Sequence, residues 1–88
     1  MKYNYKSCNE SLWYASSKGH LDIVKYLISK GANDLNTALW NATYSGYLEI
    51  VKYLISKGAN DLDNALNYAI CNENLDIVKY LKNIIYEI

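Results

Sequence analysis

Gly19–Asp34 reads GHLDIVKYLISKGAND, and Gly46–Asp61 reads GYLEIVKYLISKGAND. The two stretches start 27 residues apart and differ at two positions. A further step of 27 reaches Leu75–Leu81, LDIVKYL. The register also holds upstream: Leu12, Leu39 and Leu66 share one column, and Ala15, Ala42 and Ala69 share another. A period of this length marks stacked supersecondary units. The 88 residues form one domain, 1–88, with a lead of 1–6 and copies at 7–33, 34–60 and 61–87.

Each copy carries two apolar patterns at helical spacing. The first, helix A, is expected from about Asn9, Asn36 or Asp63; in the second copy it turns Leu35, Ala38, Leu39 and Ala42 inward. Helix B is expected from about Leu21, Leu48 or Leu75, with Leu48, Val51, Leu54 and Ile55 inward and Ile50 beside them. Gly19 and Gly46 stand where helix A must stop and turn, and Gly31 and Gly58 where helix B stops. Glycine takes the left-handed backbone such stops need without a steric penalty. Asp, Asn and Ser at the starts of helix A are suited to capping free amides. Asp22–Lys25, Glu49–Lys52 and Asp76–Lys79 are spaced as i,i+3 pairs on a solvated face.

A single pair of such helices cannot cover its own apolar side, so neighbouring copies must stack and share a core. The expected fold is therefore all-α, an α-solenoid of three stacked helix-turn-helix units with Leu54 in the central core. The third copy reads as an end. Lys82 and Asn83 replace Ile and Ser, and Ile84-Ile85-Tyr86 replaces Lys-Gly-Ala. Without that glycine the last helix is expected to run on through Glu87, with Ile84, Ile85 and Ile88 covering the end. Trp13 and Trp40 precede another copy whereas Asn67 does not, so each tryptophan is expected to pack against the next unit. Tyr3 and Tyr5 are placed to shield the first.

Composition narrows the function. Nine lysines balance nine acids at a formal charge of zero, which disfavours nucleic acid and anionic membrane as partners. No apolar run approaches the roughly 18–20 residues of a membrane span. The start of the chain has no apolar signal core, and two cysteines are too few for a disulfide framework. The expected compartment is the reducing cytoplasm. Catalytic constellations are lacking too. His20 is the only histidine and sits in a turn, where Tyr47 and Asn74 replace it in the other copies. One histidine with Cys8 and Cys71 far apart does not make a zinc site, which needs about four ligands. Cys8 shares the column of Leu35 and Leu62 and reads as a small buried residue, whereas Cys71 falls in an outward column. There is no glycine-rich phosphate loop, so no catalytic residue, metal or cofactor is expected.

The run Thr37-Ala38-Leu39-Trp40-Asn41-Ala42, followed by Ser45-Gly46-Tyr47-Leu48-Glu49-Ile50-Val51 and Tyr53-Leu54-Ile55-Ser56-Lys57-Gly58-Ala59, resembles the ankyrin consensus TPLHxAA, GHxxIV, xxLLxxGA. The usual repeat has about 33 residues, and here the shortfall lies between Gly-Ala and helix A, where ankyrin repeats carry a β-hairpin finger. Asn33-Asp34-Leu35-Asn36 is too short to build one. Proline and histidine of the consensus are also replaced, by Ser11, Ala38 and Ala65 and by Trp13, Trp40 and Asn67. The short repeats with GHLDIVKYLISKGAN wording look like the ankyrin arrays of giant DNA viruses and some protists; a viral array would work in the host cytoplasm.

The resemblance implies a non-catalytic protein–protein interaction module. Without fingers, partner binding would fall on the exposed side of helix A: Glu10, Tyr14, Ser17 and Lys18, then Thr37, Asn41, Tyr44 and Ser45, then Asn64, Tyr68, Cys71 and Asn72. These positions vary between copies while helix B hardly changes, as a recognition surface on a uniform scaffold requires. Tyr26, Tyr53 and Tyr80 form a separate ladder along helix B, read as packing between neighbours or as a self-association stripe. Self-assembly as a structural repeat protein is thus the alternative to binding another protein.

Overall fold

The chain was described by a computed structural model covering the backbone of residues 5–87 and the side chains of 8–87. Six helices follow one another: α1 (Tyr5–Lys18), α2 (Leu21–Ser29), α3 (Leu35–Ser45), α4 (Leu48–Ser56), α5 (Leu62–Cys71) and α6 (Leu75–Tyr86). There is no strand among the described residues. The helices pair as α1 with α2, α3 with α4 and α5 with α6. The pairs then stack in sequence order, α1 on α3 on α5, with sparser contact of α2 on α4 on α6. Piling in one direction gives a body of 44 × 25 × 18 Å.

The repeated columns form the core. Leu12, Ala38, Leu39, Ala42, Val51, Leu54, Ala65, Ala69 and Leu81 are wholly buried, with Ala15 and Leu66 nearly so. Small alanines on helix A let adjacent helices approach, and the leucines and valines of helix B fill the space behind them. Leu54 is fully enclosed, in the central position expected for it, and Cys8 is buried as its column foretold. Ile50 is more deeply buried than expected, at 2% exposure, whereas the flanking Leu48 and Ile55 are only half-buried.

The turn from helix A to helix B is built alike in all three units. His20, Tyr47 and Asn74 each donate a backbone N–H to the carbonyl five residues back, on Ala15, Ala42 and Ala69, at 3.0, 2.9 and 3.0 Å. This closure needs a left-handed residue just before it. Gly19 and Gly46 fill that place with φ of 82° and 91°. The third unit keeps the turn with Glu73 at φ 58°, against its side-chain sterics.

Four helix boundaries differ from expectation. The helix A starts at Leu35 and Leu62 fall one residue early, but α1 begins a full turn early, at Tyr5. In later units the chain bends just before helix A because the preceding unit holds it: Asn9 Oδ1 accepts from the N–H groups of Asn33 (2.8 Å) and Asp34 (3.0 Å). Among the described residues no such clamp holds the start of α1, and this helix runs back to Tyr5. At the other end α6 stops at Tyr86, with Glu87 already extended at ψ 130°. Ile84 and Ile85 are half-buried along this added turn. Tyr3, the Tyr5 side chain and Ile88 lie outside the described residues.

Candidate binding surface

The exposed side of helix A is laid out by the columns that the core does not use. Tyr14 and Tyr44 project furthest, at 65% and 64% exposure, and Tyr68 is 40% exposed. Glu10, Lys18, Ser45, Asn64, Cys71 and Asn72 are also exposed. The Lys18 ammonium lies 5.5 Å from the centre of the Tyr14 ring, a cation–π arrangement that holds one edge of the surface.

Ser17, Thr37 and Asn41, expected to point outward, are half-buried instead. Ser17 Oγ donates back to the Tyr14 carbonyl at 2.8 Å. Thr37 lies in the first turn of α3, and its N–H donates to the capping carboxylate of Asp34 at 3.4 Å. Asn41 reaches across to the preceding unit, its Nδ2 donating to the Trp13 carbonyl at 3.4 Å. Asn41 and Tyr68 share a column, and both lean on the unit before. The Tyr68 ring sits 6.3 Å from that of Trp40, tilted at 54°. Trp40 also donates from Nε1 to Asp61 Oδ2 at 3.1 Å, so it does pack on the following unit. In the first unit the equivalent carboxylate, Asp34, is turned toward Thr37, and Trp13 Nε1 is buried without a protein acceptor.

The joints between units rest on asparagines that the sequence pattern had placed at helix starts as caps. Asn36 repeats the bonds of Asn9: its Oδ1 accepts from the N–H groups of Asn60 (2.9 Å) and Asp61 (3.1 Å), and its Nδ2 donates to Asn60 Oδ1 at 3.1 Å. These asparagines therefore clamp the next loop, a task distinct from helix capping. The signal was the 27-residue spacing of Asn9 and Asn36, broken to Asp63 in the third unit. The lysines of helix B also differ from expectation. Only Glu49 and Lys52 come within ion-pair distance among the described residues, at 3.8 Å. Lys25 lies instead over the ring of Tyr53 in the following unit, and Lys52, besides its ion pair, lies over that of Tyr80, both at 5.4 Å. The tyrosine ladder is thus tied across units by lysines, with Lys30 and Lys57 over Tyr26 and Tyr53 within their own units.

His20 is exposed in its turn, Cys8 is buried and Cys71 exposed, both as free thiols. No three His, Cys, Asp or Glu side chains gather as a metal site among the described residues. No described helix is long and apolar enough to cross a membrane. An open, mainly apolar hollow of about 510 Å³ is lined by Glu10, Ser11, Tyr14, Ala15, His20 and Ile23 at the first unit.

A stack of helix pairs with a shared core defines a helical-repeat solenoid. A family model for ankyrin repeats, in three copies, matches residues 12–87, and the chain belongs to the ankyrin repeat family. No curated protein matches it. Ankyrin repeats serve as protein–protein interaction modules in a family that is generally non-catalytic.

Proposed function

We propose that this chain is a non-catalytic adaptor that grips another protein with the exposed sides of α1, α3 and α5. The observation that carries this reading is the pair Tyr14 and Tyr44, each about two-thirds exposed on a side whose residues change from unit to unit. Tyrosine offers a large amphipathic contact at small entropic cost, which makes it a frequent anchor of protein interfaces. Around these rings the surface is sparsely charged, with Glu10 and Lys18 at the first unit and amides or hydroxyls elsewhere. A neutral, polar protein surface fits it better than a polyanion. The sparse cysteines, with Cys71 an exposed free thiol, support a cytoplasmic setting for the adaptor, the host's if the array is viral.

The experiment is affinity capture from the native cellular setting, followed by substitutions on two sides of the stack. Tyr14→Ala and Tyr44→Ala are expected to abolish capture of a specific partner with the fold unchanged. Tyr26→Ala, on helix B, is expected to retain it. A partner held equally by all three variants would show that helix A is not the binding side.

A further inference from the structure

We propose that the helix B side of the stack is a second docking surface and that it takes an acidic segment of a partner protein. This side is formed by α2, α4 and α6 and lies apart from Tyr14 and Tyr44, so the proposal is independent of the helix A reading.

Lysines gather on this side. Lys25 and Lys52 lie within α2 and α4, and Lys30 and Lys57 follow directly at their C-caps; all four are exposed. By contrast α3 and α5 carry no lysine. The four ammonium groups rest on tyrosine rings. Lys25 and Lys57 come from different units to the same ring, that of Tyr53, at 5.4 and 5.5 Å from its centre. Lys30 lies 5.5 Å from the centre of the Tyr26 ring, and Lys52 lies 5.4 Å from that of Tyr80. Of the four, only Lys52 has a described carboxylate within ion-pair distance, Glu49 at 3.8 Å. Both members of that pair are exposed to solvent, where such pairs are weak. The charges of Lys25, Lys30 and Lys57 are therefore not neutralised by any described acid. An ammonium group over a ring face also has its long stem partly ordered beforehand, which lowers the entropic cost of meeting an anion.

The placement of charge selects the kind of anion. Asp22, Glu49 and Asp76 stand in the first turns of helix B, where the helix dipole favours them. Lys30 and Lys57 stand at the far ends of α2 and α4. A negative row and a positive row thus run side by side across the units. A nucleic acid strand fits this poorly. The ring faces on which its bases would stack already hold ammonium groups, and a chain of zero formal charge has no long-range pull on a polyanion. An acidic peptide needs neither feature. Packed helices stand about 8–10 Å apart, and an extended chain of polyproline-II form repeats its side-chain direction about every 9.3 Å, or three residues. Carboxylates three residues apart therefore meet successive units along the positive row. The central one falls at the Tyr53 ring, between Lys25 and Lys57.

The test is fluorescence anisotropy of a labelled peptide, Glu-Ser-Ser three times over, titrated with the full chain at low salt. Saturable binding is expected, weakening as salt is raised to physiological strength. Lys25→Gln and Lys57→Gln change exposed side chains, so both variants should keep the parent's circular dichroism. Each should weaken peptide binding by about two- to fivefold, the range for one exposed ion pair. Lys18→Gln removes the same charge from helix A and should leave binding unchanged, as should Tyr44→Ala. A peptide with lysine in place of glutamate should not bind. Three results would overturn the proposal: no saturation by millimolar protein at low salt, an equal loss in Lys18→Gln and Lys57→Gln, or tighter binding of a thymidine oligonucleotide of the same length. The second would mean attraction by net charge alone, and the third a nucleic-acid surface.

Discussion

Replacing Asn36 by alanine isolates the clamp between units, and the repeat supplies its own control. Three hydrogen bonds disappear: two accepted by Oδ1 from Asn60 and Asp61 N–H, and one donated by Nδ2 to Asn60 Oδ1. Asn60 is exposed, so water replaces its bonds cheaply, whereas Asp61 is half-buried and its N–H is less easily rehydrated. At about 0.5–1.5 kcal/mol net for each bond, the loss is about 1.5–3 kcal/mol. Alanine's better helix propensity returns about 0.6 kcal/mol, which leaves a net cost of about 1–2.5 kcal/mol. The matching substitution at Asp63 removes no clamp, because its side chain holds no later loop among the described residues. It gains similar propensity and loses the favourable placement of a carboxylate in a first helical turn, worth about 0.3–1 kcal/mol, for a result near zero. Thermal denaturation followed by tryptophan fluorescence measures both variants. Asn36→Ala should lower the thermal midpoint by about 4–20 °C, at about 4–8 °C per kcal/mol for a domain of this size. Equal stability of the two variants would refute the clamp and, with it, the claim that asparagine side chains hold the bends between units.

Leu54→Ala should cost about 2–5 kcal/mol through a cavity at the centre of the stack; a calorimetric melt unchanged from the parent would show the helix register to be wrong. The left-handed turn position should respond oppositely in different units. Glu73→Gly should stabilise by about 0.5–1 kcal/mol by relieving a positive φ. Gly19→Ala should destabilise by more than about 1 kcal/mol, because the new Cβ meets the Tyr47 ring as well as an unfavourable backbone; equilibrium unfolding of the pair reads both signs.

Much of this architecture was legible in one dimension. The 27-residue period, the two helices in each unit, the inward columns and the burial of Leu54 and Cys8 follow from helical spacing repeated in register. The outward placement of Tyr14 and Tyr44 follows from the same pattern. Periodicity alone, however, gives identical letters identical surroundings. Ile23 and Ile50 share a column, yet one is exposed and the other enclosed, because burial there belongs to the preceding unit. Lys25 is spaced for Asp22 along its own helix and lies instead over a tyrosine of the next. Asn36 resembles a helix-start residue until it is seen holding a loop 24 residues on. Asn41 resembles a surface residue until its amide is traced to Trp13. Sequence by itself determined which residues make helices and which sides of them avoid water, because those choices depend on neighbours three or four positions away. The tertiary structure alone decided which side chains join one unit to the next, because those partners lie 21–31 residues apart and meet only through the lateral offset of the stack.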